Sequence, residues 1–342
     1  MSFADHGSPF ALLVVLVLST QLSACSVFGD EEPWQQRDLI ISGRPAAFDP
    51  DDGGETGIYA VNLDGSGLVP ILTSNSEVFI SPSVSPDGSK LVFQSSLGAT
   101  TLGSRLYVVP FEGAPLSWAW ESGVIWSEKF FVGFDARWWT NDTFAYLDCP
   151  TCELGGTEMR LLKANVRDRT VRELDFADAV FVVPGPDSTY ALAREHGPPQ
   201  HRGQDIFLRR GSAPNAFERI LVDGGANGFD WSPSGHALAY IDIGNSFDYV
   251  DLVVVDTLGV EQVRHNLVPP DMADSIRLGG PLTWLPGQPT VLASQITFAS
   301  SSNFRYGLVA IDLDDGSVRE ILDGHTHFQA SLNPLGRLAA AN

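Results

Sequence analysis

Val84-Ser85-Pro86-Asp87-Gly88-Ser89-Lys90-Leu91-Val92-Phe93 reads as the end of one strand, a Pro-Asp-Gly turn and the start of a second strand. The same grammar returns at Trp231-Ser232-Pro233-Ser234-Gly235-His236-Ala237-Leu238-Ala239-Tyr240. Weaker copies run over Trp138–Tyr146, Val183–Leu192, Trp284–Leu292 and Leu332–Ala339. Anchored on Pro86, Thr140, Pro186, Pro233, Pro286 and Pro334, the spacings are 54, 46, 47, 53 and 48 residues, with a mean close to 50. That period is the length of one four-stranded propeller blade.

A second kind of hairpin lies between these units. Ile58-Tyr59-Ala60-Val61-Asn62-Leu63-Asp64-Gly65 is a strand running into an Asp-Gly turn, and counterparts begin at Leu106, Met159, Ile206, Leu252 and Leu308. The expected fold is all-β, a β-propeller of six four-stranded blades. Leu39-Ile40-Ile41-Ser42 is one strand beyond the simplest count, so seven blades are also allowed. Arg337-Leu338-Ala339-Ala340 reads as an inner strand lacking its outer hairpin, and pairing it with the N-terminal strands closes the ring and removes the exposed edges.

Ile58-Tyr59 through Leu63-Asp64-Gly65-Ser66, followed by Ser85-Pro86-Asp87-Gly88 and Leu91-Val92-Phe93, resembles the repeat of TolB-like β-propellers. The resemblance spans about residues 38–342, with close matches at 58–93 and 231–240, and implies an exported six-bladed propeller. About a dozen residues separate Cys25 from Leu39, so it implies a propeller without the additional N-terminal domain of TolB.

The N-terminal segment reads as an address. Phe10 to Leu18 is an uninterrupted apolar run, too short by about half to span a bilayer but suited to an export signal. Leu22-Ser23-Ala24-Cys25 resembles a bacterial lipobox, which implies cleavage before Cys25 and acylation there; Ser26 in the next position implies the outer membrane. Several acyl chains hold a protein on a membrane essentially permanently. No Lys or Arg precedes Arg37, so the cationic start of the pattern is missing, and a buried apolar strand ending in a chance cysteine is the alternative. The expected organisation is a signal over 1–24, a tether over 25–37 and one propeller domain over 38–342.

Composition limits the partners. Asp and Glu number 42 against 21 Lys and Arg, for a formal net charge of −21, which repels phosphate backbones and argues against nucleic acid. Only Lys90, Lys129 and Lys163 are lysines, and they form no basic run. Of the three cysteines, Cys149 and Cys152 remain once Cys25 is set aside, and in an oxidising compartment a disulfide across that turn is the simplest outcome. A redox pair, a zinc site or free thiols are the alternatives.

Candidate site residues fall in two groups. Five of the eight tryptophans lie between Trp118 and Trp139, joined by Phe130, Phe131 and Phe134. Trp126, Phe130, Phe131, Trp138 and Trp139 either form an exposed patch that seats a ligand or fill the wedge between blades. The second group is Glu195, His196 and His201 with His325 and His327, whose pattern admits a divalent metal if the ring axis brings the loops together. Asp312-Leu313-Asp314-Asp315-Gly316 reads as a hairpin turn, its glycine misplaced for a calcium loop. No Gly-x-Ser-x-Gly, His-Glu-x-x-His or phosphate-binding glycine loop occurs.

The loops after the second and fourth strands of each blade fall on one face. The first set is expected near 44–56, 95–104, 148–158, 194–204, 242–248 and 295–305. The inter-blade set is expected near 74–82, 122–136, 175–181, 223–229, 273–281 and 323–329. Several of these expected spans are ten residues or longer, which marks this face as the working surface. The expectation is a non-catalytic protein without cofactor, tethered to a membrane by an N-terminal lipid. It binds a protein or peptide partner in the cell envelope, on the periplasmic side of the outer membrane. The alternative is a metal-dependent lyase or hydrolase with its site over the central channel.

Overall fold

Ser85 shows how the repeated turn is built. Its hydroxyl accepts the Lys90 N–H at 2.9 Å and donates to Asp87 at 2.7 Å, while its carbonyl accepts the Gly88 N–H at 2.8 Å. Ser232 repeats this, accepting the Ala237 N–H at 3.0 Å on its hydroxyl and the Gly235 N–H at 2.8 Å on its carbonyl. Each such turn joins the two inner strands of one blade. The computed structural model describes residues 36–45, 56–74, 77–97, 104–111, 124–130, 136–148, 160–176, 179–185, 190–196, 203–209, 217–221, 226–243, 249–268, 276–300, 303–324 and 328–334.

Six four-stranded antiparallel sheets result. Blade 1 is β4 (Glu77–Val84), β5 (Lys90–Leu97), β6 (Ser104–Pro110) and β7 (Val124–Phe130). Blade 2 is β8 (Arg137–Thr140), β9 (Thr143–Asp148), β10 (Arg160–Asn165) and β11 (Thr170–Phe176). Blade 3 is β12 (Ala179–Pro184), β13 (Tyr190–His196), β14 (Gly203–Arg209) and β15 (Phe217–Leu221). Blade 4 is β16 (Ala226–Trp231), β17 (Ala237–Asp242), β18 (Val250–Asp256) and β19 (Glu261–Val268). Blade 5 is β20 (Ile276–Trp284), β21 (Thr290–Ser300), β22 (Asn303–Asp312) and β23 (Val318–Gly324). Blade 6 joins β24 (Gln329–Leu332) to β1 (Leu39–Gly43), β2 (Thr56–Val61) and β3 (Val69–Ser74).

Blade 6 closes the ring and settles the strand count at six blades. Leu39 to Ser42 pair with Leu332 to Gln329 on one side, and Leu39 to Gly43 pair with Val61 to Gly57 on the other. The apparently surplus strand is thus the second strand of the last blade. The expected closing strand over Arg337–Ala340 is replaced there by Leu39–Gly43, and 337–340 lie outside the described residues. Asn333 fastens the joint: its backbone N–H donates to Asp38 O at 3.0 Å and its side chain donates to Arg37 O at 2.9 Å. The Asp38 carboxylate in turn accepts the Leu63 N–H at 2.9 Å.

The core is divided into six wedges, one between each pair of neighbouring blades. This explains why the strands read as apolar runs rather than alternating patterns. Leu91 and Phe93 pack toward blade 6 while Val92 packs toward blade 2, and all three are fully buried. β1 follows the same rule, with Ile40 in the wedge against blade 1 and Leu39 and Ile41 in the wedge against blade 5.

Strand direction separates the two ends of the ring. The turns after the first and third strands of each blade lie at one end, here the turn end. The connections after the second and fourth strands lie at the other, the loop end. Several expected loops are largely strand instead: 74–82, 175–181, 223–229 and 273–281 run into β4, β12, β16 and β20, because the innermost strands begin earlier than their turn signals suggest. Residues 124–130 form β7, the outermost strand that completes blade 1, so the 122–136 loop shrinks to 131–136. β21 and β22, of 11 and 10 residues, pair almost to their tips and leave only 301–302 of the expected 295–305 loop.

Candidate functional site

At the loop end, polar clamps pin the strands from which the connections leave. In blade 1 the Ser95 hydroxyl donates to the Glu77 carboxylate. In blade 2, Arg160 and Asp148 face each other in register and pair at 2.8 Å, directly at the root of the 149–159 connection. Arg264 of blade 4 reaches Asp242 at 3.2 Å and Asp251 at 2.7 Å; Asn266 adds a bond to Asp251 at 2.9 Å. Arg305 of blade 5 pairs with Asp323 at 2.9 Å and Glu320 at 3.4 Å. The carboxylates of Asp148, Asp242 and Asp251 are largely shielded, which keeps these pairs stronger than ordinary surface ion pairs.

Toward the axis, hydrogen bonds cross every blade junction. Ser81 donates both its N–H and its hydroxyl to Gln329, at 2.6 and 3.1 Å, joining blades 1 and 6. The Trp138 indole donates to Ser83 O at 2.7 Å, Trp139 to Gly185 O at 3.0 Å and Trp231 to Val183 O at 3.3 Å. Those three bonds join blades 1 and 2, 2 and 3, and 3 and 4. Thr283 donates to Ala330 O at 2.8 Å and completes the junction of blades 5 and 6. Five of the six innermost strands also carry a register shift against their neighbour, so the ring is lined by bulges.

Asp230 makes the remaining junction, between blades 4 and 5. Its carboxylate accepts the Trp284 N–H at 2.8 Å and the Trp231 N–H at 2.9 Å. Burial pushes its pKa up from 3.8 to about 6, against the Arg137 guanidinium from β8 and the two N–H groups, which pull it down. Because the folded pKa is the higher one, the contribution to stability is full below pH 3.8 and is lost as pH rises through about 6. The loss is at most about 3 kcal/mol. Asp230→Asn is expected to remove this slope, read from urea unfolding at pH values on either side of the window. Superimposable pH profiles for the two proteins contradict it.

The sequence-derived candidates separate on this frame. Trp138 is buried in the wedge between blades 1 and 2, and Trp139 packs edge-on to Tyr190 of blade 3, with Lys163 4.3 Å over its ring. Trp126 and Phe130 lie on β7, the outermost strand of blade 1, so the aromatic group is spread over two blades. Glu195 and His196 end β13 at the loop end of blade 3, paired with Gln204 and Gly203. Cys25, Phe131, Cys149, Cys152, His201, His325 and His327 lie outside the described residues. Among the described residues no group of three or more His, Cys, Asp or Glu is placed to hold a metal ion, and no helix is long and apolar enough to cross a membrane. Asp230 escaped sequence reasoning; its one signal is a carboxylate directly before Trp231-Ser232-Pro233 in an apolar strand.

Six four-stranded sheets around one axis, closed by pairing of β1 with β24, make this a six-bladed β-propeller protein. Among solved structures it is similar to TolB from Acinetobacter baumannii, at 13% identity and a TM-score of 0.63, over 87% of this chain and 66% of that one. The chain therefore spans just under two thirds of that protein's length. It is also similar to a putative TolB from Agrobacterium tumefaciens, at 14% identity and a TM-score of 0.52, over 87% of this chain and 92% of that one. A puromycin hydrolase shares the fold at 15% identity and a TM-score of 0.51, over 85% of this chain but 46% of its own. No family model matches the sequence, and no curated protein matches it.

Proposed function

We propose that this chain is a non-catalytic, lipid-anchored propeller of the cell envelope that binds a protein or peptide partner through its loop end. The observation that carries the reading is the set of clamps at the roots of the loop-end connections in blades 1, 2, 4 and 5. A ring cross-bonded at every junction, with clamped loop roots, presents its loops at fixed spacing and limits the ordering entropy spent on binding. Pull-down from envelope extract tests this, using the parent chain against Arg264→Ala and Arg160→Ala variants. The parent is expected to retain a partner that the variants lose; identical capture by all contradicts the reading.

The anchor is Cys25, acylated in the outer membrane on the periplasmic side, with Cys149 and Cys152 joined as a disulfide in the 149–159 connection. The resemblance of Leu22-Ser23-Ala24-Cys25 to a lipobox, followed by Ser26, supports the first. Cys25→Ser is expected to move the protein from the membrane fraction to the soluble fraction. Retention of the variant in the membrane fraction contradicts the anchor. Alkylation under non-reducing conditions followed by mass spectrometry reads the disulfide, and two modified thiols contradict it.

A further inference from the structure

Arg167, Arg169 and Arg172 follow one another through the turn-end hairpin of blade 2, and all three are exposed. In a chain with two acidic residues for every basic one, none of these three guanidinium groups makes an ion pair with a described residue. By contrast Arg160, Arg264 and Arg305 each hold a carboxylate. Arg172 lies opposite Lys163 across the β10–β11 pair, and their like charges depress the Lys163 pKa, after burial, which depresses it most. Beside the hairpin, Lys90 and Arg167 border an open cleft of about 530 Å³ floored by Val108, Val109, Pro110 and Val166. Asp142, which pairs with Lys90 at 3.4 Å, and Asp168 are the carboxylates at this tip, with Glu173 next to Arg172.

The backbone of this turn is also fixed locally. Asn165 accepts the N–H groups of Arg167 and Asp168 at 2.9 and 3.0 Å, and Arg169 sits at a φ of 53°. The corresponding position in the Asp312–Ser317 turn of blade 5 is Gly316, at 74°. A left-handed arginine in a position suited to glycine is a strained choice. Val171, within the same triplet, is 47% exposed. Four of the five exposed large apolar residues among those described, Val171, Leu258, Val260 and Val318, lie at the turn end.

The tether enters at that end too. β1 begins at Leu39, opposite Leu332 at the turn-end terminus of β24, and Asp38 is held by Leu63 and Asn333. The 13 Cα–Cα steps from Cys25 to Asp38 reach at most about 45 Å. We infer that the blade 2 tip of the turn end rests on an anionic phospholipid surface, with Arg167, Arg169 and Arg172 among the headgroup phosphates. This rests on the lipid-anchor reading above. Asp64, Asp87, Asp256, Asp312, Asp314 and Asp315 make the rest of the turn end acidic, and such a surface repels them. The anchor keeps the protein there, so the field tilts the ring to put the basic blade 2 tip down. Each Lys or Arg near an anionic surface strengthens attachment by roughly fivefold. The loop end then faces away from the membrane, toward the partner.

The test uses the full acylated chain reconstituted in phosphatidylcholine vesicles with and without about one third phosphatidylglycerol, spin-labelled at Val171→Cys or at Phe304→Cys on the loop end. With phosphatidylglycerol present, the Val171 label is expected to be several-fold less accessible to a water-soluble relaxant than the Phe304 label. Charge reversal at all three arginines to Glu is expected to abolish that difference. Equal accessibility at the two sites, or a difference that survives the reversal, overturns the inference. The failures separate. A full chain that floats with neither vesicle type overturns the anchor and this orientation with it; one that floats with equal labels keeps the anchor and loses the orientation. The Cys25→Ser chain titrated with inorganic phosphate is expected to show no saturable binding. Saturable binding lost on charge reversal overturns the lipid surface in favour of a soluble anion.

Discussion

Gly228→Val is expected to lower the stability of the protein by at least ~3 kcal/mol, the sum of left-handed backbone strain and a main-chain overlap. Gly228 sits in the bulge of β16 at a φ of 86°, where a branched side chain is strained whatever the space around it. An added Cβ there runs into the carbonyl oxygen of Gly280, in the bulge of β20. Backbone has to move, and it belongs to the two innermost strands that Asp230 also joins. Gly280→Ala is the control: its Cβ meets only Ser294 Cβ, at 3.7 Å, so the cost is the φ of 75° alone, about 1 kcal/mol. Urea unfolding of both variants reads the contrast. A Gly228→Val protein as stable as its parent means that blades 4 and 5 do not meet bulge against bulge.

The second large effect is expected at the joint of the ring. Ile40 is fully buried in the wedge shared by blades 6 and 1, beside Ile58, Phe79 and Phe93. Ile40→Asp places a carboxyl with no partner in that wedge and is expected to cost about 4 kcal/mol. Ile40→Val removes one methylene and costs about 1 kcal/mol. The pair is informative because residue 40 is close in sequence to the N-terminal address. If the segment were a loose leader, both substitutions would be silent in thermal unfolding. If β1 is the second strand of the last blade, the aspartate unfolds the ring cooperatively and the valine lowers the midpoint slightly.

The architecture was legible because the blades need the same local chemistry six times. A tight inner turn requires a side chain to cap it, and Ser85 and Ser232 in Ser-Pro-x-Gly advertise that need. Blade 2 solves it differently. Thr140 accepts the N–H groups of Asp142 and Thr143 at 3.3 and 3.1 Å, so its turn is short and carries neither Pro nor Gly. The spacing alone reveals that unit. Closure was half legible: Leu39–Ser42 reads as a strand, but its place depends on pairing with residues nearly 300 positions away, which local pattern does not encode.

The sites were harder to read, for physical reasons that differ from residue to residue. Tryptophans between Trp118 and Trp139 look like one patch in sequence, yet Trp138 and Trp139 face opposite wedges of blade 2, because adjacent residues in a strand point apart. The clamps at the loop end pair residues up to 22 positions apart, such as Arg264 with Asp242, whose charges look unremarkable in an acidic chain. Arg167, Arg169 and Arg172 form no continuous run, and only the hairpin gathers them into one tip.

Rigid presentation at the loop end and attachment at the turn end both depend on the N-terminal strand being an integral member of the last blade. Hydrogen exchange followed by mass spectrometry on the native protein tests this directly. The amides of Leu39–Gly43 are expected to exchange as slowly as those of Ala237–Asp242 in β17, since both are second strands bonded on two sides. Exchange of 39–43 at the rate of an unfolded chain, while 237–242 stays protected, contradicts the closed ring and the functional reading built on it.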